Sequence, residues 1–348
     1  MVTRAPILAA LGAALLFGAS TPFAKALVGD VSPLLLAGLL YFGSGIGLSL
    51  VRLVRGSGLG PANLARADWS WLSAAIAAGG VLGPALLMYG LTRTSAADAS
   101  LLLNLETVLT ALLAWVVFRE NADRRIVLGM ALIVAGGTAL AWPSGAGTAT
   151  SLAGVLAVAG ACLCWAIDNN LTRKVSAIDP LFIAGTKGLV AGITNVSLAL
   201  VFGATLPSRM LIAAAAIVGF VGYGISLVLF VLALRGLGSA RTGAYFATAP
   251  FVGAAIAIAV FHEPTSTAFW VAAVLMACGV GLHLTERHEH AHIHEELVHT
   301  HSHRHDAHHE HGHAFAWDGR EPHTHQHRHE RLTHSHPHYP DIHHRHGH

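Results

Sequence analysis

Residues 96–120 read AADASLLLNLETVLTALLAWVVFRE and hold one carboxylate, Glu106, near their middle, with Asp98 and Glu120 towards the two ends. Residues 239–263, SARTGAYFATAPFVGAAIAIAVFHE, repeat the pattern 143 positions later, matching Phe118 to Phe261 and Glu120 to Glu263. A run this long and apolar fits the ~30 Å hydrocarbon core of a bilayer at helical rise. Present twice, and charged at mid-run in only one copy, it restricts the chain to a membrane protein built from a duplicated unit.

Composition agrees. The 348 residues are 53% hydrophobic and 11% charged, with a mean hydropathy of +0.56, where soluble chains carry about 25% charged residues. Residues 1–285 hold 15 Lys/Arg and 9 Asp/Glu, mostly between apolar runs, while 23 of the 25 His lie in residues 288–348. This division separates a membrane body from a polar tail and excludes a soluble enzyme. Ten apolar runs are expected, near 6–28, 32–54, 70–91, 95–118, 124–142, 150–172, 180–203, 209–234, 239–261 and 266–285. Turn residues such as Asp179-Pro180 and Pro207-Ser208 fall between them. Their length and lack of alternation favour helices over a barrel. The amino end lacks a cleavable-signal pattern, so its first run is expected to remain as a span.

With the amino end in the cytoplasm, the cytoplasmic side receives eleven Lys/Arg and the opposite side only Lys25, Arg93 and Arg209. Both termini are then cytoplasmic, in the inner membrane of a bacterium. A second pair of matched stretches, LLFGASTPFAK (residues 15–25) and LCWAIDNNLTR (residues 163–173), gives five spans per half. Five is odd, so the halves cross in opposite senses, a common plan of secondary transporters with a site between the repeats. The expected architecture is an all-α integral membrane protein of two inverted five-helix repeats, residues 1–143 and 144–286. A disordered His-rich tail, residues 287–348, follows.

These features resemble the EamA-type transporters of the drug/metabolite transporter superfamily. The likeness rests on the five-plus-five layout, on LLFGASTPFAK, and on LLLNLETVLTALLAWVVFRE followed by GMALIVAGGTALAW. Where that family has Glu-Pro near the middle of the fourth span, this chain splits the pair. Glu106-Thr107 keeps the acid in one half, and Ala249-Pro250 keeps the proline in the other. The resemblance implies gradient-driven export of small metabolites, amino acids among them.

A carboxylate at the centre of a span costs roughly 2.5–3.5 kcal/mol on insertion scales, so Glu106 must face a cavity or a partner. A carboxyl group able to gain and lose a proton there suits a proton-coupled carrier. Thr110, one helical turn on, shares its face. Asp168, Asn169 and Asn170 follow Trp165 in the sixth span, either lining a cavity or simply snorkelling at the helix end. Lys187 in the seventh span is a countercharge for Glu106 or for an anionic solute, or an end residue reaching for water. Tyr89, Trp165, Tyr223 and Tyr245, with Thr248 on the face of Tyr245, are candidates to line a pocket for an organic solute. Pro84 and Pro250 are candidate hinges. Cys162, Cys164 and Cys278 all lie in apolar runs and form no metal or redox motif. No Walker A sequence is present, so ATP drive is not expected from this chain.

The tail repeats His-x-His at His288, His290, His292 and His294, at His299, His301, His303 and His305, and at His323, His325, His327 and His329. It does so again from His334 to His338. Spacing of two aligns rings on an extended chain rather than a helix, and neutral imidazole suits Zn, Ni or Co. Metal held there by the tail is expected; no cofactor is required. The expected partners are the lipid bilayer and a small-molecule or ion substrate, with no nucleic acid, in a monomer or homodimer. Three functions follow: a metabolite exporter, a divalent-metal exporter fed by the tail, or a membrane metal sensor that transports nothing.

Overall fold

The computed structural model describes residues 4–56, 66–118, 124–142, 150–175, 179–284, 289–294, 297–303, 323–329 and 332–337. In the four tail segments the description extends to the backbone. Among the described residues, ten helices are long and apolar enough to cross a membrane: Ala5–Val28, Pro33–Val54, Asp68–Leu91, Ala96–Leu113, Arg124–Ala141, Leu152–Thr172, Pro180–Val201, Arg209–Leu234, Thr242–Ala259 and Thr267–Leu284. Each lies on one of the ten apolar runs, because nothing in a bilayer except a helix or a closed barrel satisfies a spanning backbone.

Four spans are irregular, and the irregularities come in pairs. The third carries a π-helical segment, Ile76–Leu82, and the eighth carries another, Phe220–Ile225. The fourth is broken between Leu102 and Leu105, the ninth between Phe246 and Ala249. The turns match bond for bond. Asn104 N–H donates to Leu101 O at 3.0 Å and Thr248 N–H to Tyr245 O at 3.2 Å. Thr107 N–H donates to Asn104 O at 3.1 Å and Phe251 N–H to Thr248 O at 3.2 Å. Both pairs of irregularities are 144 positions apart, one more than the match of Phe118 with Phe261 indicates. Glu106 therefore corresponds to Pro250 rather than Ala249, each as the second residue of a half-helix. Proline is tolerated there because the first turn needs no N–H donor.

The halves meet through small residues. Where the second and seventh spans cross, a Cβ at Gly188 would lie 2.5 Å from Gly45 N, and one at Gly38 would lie 2.6 Å from Val196 N. Without a hydrophobic drive in lipid, such close backbone packing is what holds helices together.

At the Lys25 end of the bundle, polar contacts tie the first span to the turn after the third, and the second half to the first. Lys25 Nζ donates to Thr94 O at 2.8 Å. The Glu263 carboxylate accepts from Ala96 N–H at 3.0 Å and Ala97 N–H at 2.8 Å, capping the first turn of the fourth span. His262, at φ 53°, turns the chain towards this cap. Hydrogen bonds to a charged group contribute about 1.5–3 kcal/mol. Glu263→Ala is therefore expected to lower the melting temperature in detergent by several degrees, whereas Glu263→Gln, which keeps one acceptor, should recover part of the loss.

The tail, expected without regular structure, carries four extended segments: β1 (Glu289–His294), β2 (Leu297–His303), β3 (His323–His329) and β4 (Leu332–Pro337). β1 pairs antiparallel with β4 and β2 with β3. Period-two sequence is what an extended backbone presents.

Candidate functional site

The π-segment of the third span is the floor of a polar cluster. A π-turn interrupts the regular helical ladder, and here three side chains donate to its carbonyls. Tyr41 Oη donates to Gly79 O at 2.8 Å, Trp165 Nε1 donates to the same oxygen at 3.0 Å, and Asn195 Nδ2 donates to Val81 O at 3.2 Å. Beside this floor Lys187 Nζ donates to Asp168 Oδ2, and Thr172 Oγ1 donates to Asp168 Oδ1 at 2.9 Å. Asp168 and Lys187 are only 4% and 3% exposed, which decides against the reading of either as an end residue snorkelling to water.

Glycine makes room for the pair. A Cβ at Gly79 would lie 2.5 Å from Asp168 Cβ, and one at Gly80 would lie 3.5 Å from Lys187 Cγ. Gly79→Ala is expected to push Asp168 aside, costing about 1–3 kcal/mol as overpacking does. Solute flux in vesicles should fall at least tenfold while membrane insertion persists.

Glu106 sits in the first turn of the half-helix Leu105–Phe118, where the partial positive charge of a helix start favours a carboxylate. Its Oε1 accepts from Asn169 Nδ2 at 2.7 Å, and it lies within electrostatic reach of Asp168 and Lys187. Five of the expected residues therefore converge: Glu106, Trp165, Asp168, Asn169 and Lys187. Thr110 Oγ1 and Asn104 Oδ1 are buried without a hydrogen-bond partner. Polar atoms in that condition are rare in folded proteins.

Aromatic rings line one side of the cluster. Phe17 meets Trp165 edge-on at 5.7 Å and Tyr223 edge-on at 5.8 Å, and its ring is tilted against Phe246 at 5.4 Å. Phe17 and Trp165 match in the two halves, as do Tyr223 and Gly79. The second half thus fills with a phenol ring the place that the first half leaves to Asp168.

The remaining candidates lie elsewhere. Tyr89 is 41% exposed, with the Arg93 guanidinium 5.0 Å from its ring centroid. Tyr245 packs with Ala10, Ala233 and Leu237, and Thr248 Oγ1 donates to Tyr245 O at 2.7 Å in the ninth-span break. Asn170 Nδ2 donates to Ala166 O on its own helix at 2.8 Å. Cys162 is buried against the carbonyls of the fourth-span break. A groove of about 240 Å³ over Arg52 and Phe182 contains none of the cluster residues. Sequence reading missed Tyr41, Gly79, Thr172 and Asn195. Only the polar Asn195 within an apolar run offered a signal. Among the described residues, no group of three or more His, Cys, Asp or Glu is arranged to hold a metal. His288 and His305 lie outside the described residues, as does Glu120.

The two halves so built match the model of the EamA-like transporter family over residues 4–141 and again over 152–285. The chain belongs to the EamA-like transporter family. A curated relative in Methanothermobacter thermautotrophicus, described as an uncharacterized transporter, is 28% identical over 284 residues, covering 77% of this chain and 82% of its own length. A solved crystal structure, 20% identical, aligns with a TM-score of 0.64 over 81% of this chain and 98% of its own, and shares its fold. The chain is thus a multi-pass membrane transporter of EamA type, with two inverted five-helix repeats.

Proposed function

We propose that this EamA-family protein is a secondary transporter that exports small organic metabolites, amino acids or related compounds, by alternating access. The reading rests on the Asp168–Lys187 ion pair, buried beside Glu106–Asn169 among residues of the second, third, fourth, sixth and seventh spans. Intramembrane ionisable residues mark substrate or proton paths. One ammonium and two carboxylates suit a zwitterion, with Lys187 facing its carboxylate and Glu106 or Asp168 its ammonium. Glu106 doubles as the proton carrier. The orientation with both termini cytoplasmic, in a bacterial inner membrane, belongs to this reading and is supported by the Lys/Arg bias.

The test is purified protein in vesicles with a pH gradient and a panel of labelled amino acids, related amines and acids, and Zn, Ni and Co ions. Gradient-dependent flux of a zwitterionic solute, abolished by Lys187→Met, is expected. Flux of divalent metal with no organic solute moved would replace this reading by metal export.

A further inference from the structure

In the tail, strand register places histidine opposite histidine. In the β1–β4 ladder His290 faces His336 and His292 faces His334. The β2–β3 ladder has three such pairs, centred on His301 and His325. The intervening pairs, such as Thr300 with Gln326 and Ala291 with Ser335, carry no histidine. Within each ladder these positions therefore share one face, since side chains alternate with period two. A slip of one residue would destroy every match.

Protonated histidines directly across a ladder repel, so this register is disfavoured in acid. The same arrangement is well suited to a cation. Opposite positions have Cβ atoms about 4.5–5.5 Å apart, and positions two apart along a strand are separated by about 6.5 Å. Two adjacent pairs thus bring four histidine positions to one face of the ladder, within about 8 Å of one another. Zinc takes four ligands tetrahedrally with Zn–N of about 2.0–2.1 Å, and imidazole also suits nickel and cobalt.

We infer that each tail ladder is a divalent transition-metal site formed by two adjacent cross-strand histidine pairs, and that binding the ion and forming the ladder are one event. Coupling of this kind is usual where no preformed site exists. The inference is independent of the transported solute and concerns the tail alone.

The experiment uses the full-length protein in detergent, stripped of metal and titrated with Zn ions alone against a chromophoric chelator at about pH 7.5. Two tightly held ions per chain are expected. The double variant His292→Gln/His334→Gln should lose one, and His301→Gln/His325→Gln should lose one. His343→Gln/His344→Gln, which removes as many imidazoles outside the ladders, should keep both. Both ions should be released on acidification through the imidazole range near ~6.5, because the ligands must be neutral. Equal losses in all three variants, or no tight binding in the parent, would overturn the register-defined site. Neither result bears on solute transport by the bundle.

Discussion

Lys187→Met is expected to abolish solute flux and to destabilise the protein by about 3–5 kcal/mol, the usual cost of stranding one member of a buried ion pair. The variant leaves the Asp168 carboxylate at a place only 4% exposed, with Thr172 as its remaining donor. Adding Asp168→Asn to Lys187→Met removes the stranded charge, so most of the lost stability should return, since a neutral replacement of both partners is often tolerated. Flux should not return. Thermal unfolding in detergent and uptake by vesicles, measured on the two single variants and the double, separate the two effects. A double variant that transports normally would show the pair to be scaffolding.

Glu106→Gln should have the second largest effect. The side-chain amide keeps an oxygen for Asn169 to donate to, so the contact at 2.7 Å and the fold should survive. The group can no longer exchange a proton. Proton-driven flux should fall at least tenfold and lose its pH dependence, while exchange of labelled for unlabelled solute, which needs no net proton movement, should be retained. Wild-type flux and an unchanged pH profile in a correctly inserted variant would remove Glu106 from the coupling role.

Most of this fold is written in hydropathy. A span must be apolar over its whole length, so Asp68–Leu91 or Pro180–Val201 announces itself without knowledge of its neighbours. The repeat was legible for the same reason, since Phe118 and Phe261 close equivalent apolar runs. What escaped is set by contacts between helices. Nothing local distinguishes Gly79 from the other glycines of an apolar run. Its role appears only when Tyr41, Trp165 and Asp168 arrive from other spans. The break at Leu103-Asn104 has no proline to mark it, whereas its counterpart is followed by Pro250, and this shifted the match by one residue. Glu106, Asp168 and Lys187 were conspicuous as charges in lipid, but that Lys187 pairs with Asp168 rather than Glu106 depended on how the sixth and seventh spans cross. Tyr89 stands out in the sequence for its ring alone, and ring chemistry carries no information about which way a helix faces. The tail was readable as composition, and its pairing was not, because register depends on a partner strand some twenty to fifty positions away.

The central claim is that the cluster around Glu106 and Asp168 lies between two inverted halves and opens in turn to each face of the membrane. Asn169→Cys, in a chain whose Cys162, Cys164 and Cys278 are replaced by Ser, reports on this directly through membrane-impermeant thiol reagents. Labelling from either face, shifting in proportion when a saturating solute is added to one side, is the predicted result. Labelling that reaches position 169 from one face only, whatever solute or gradient is applied, would contradict it.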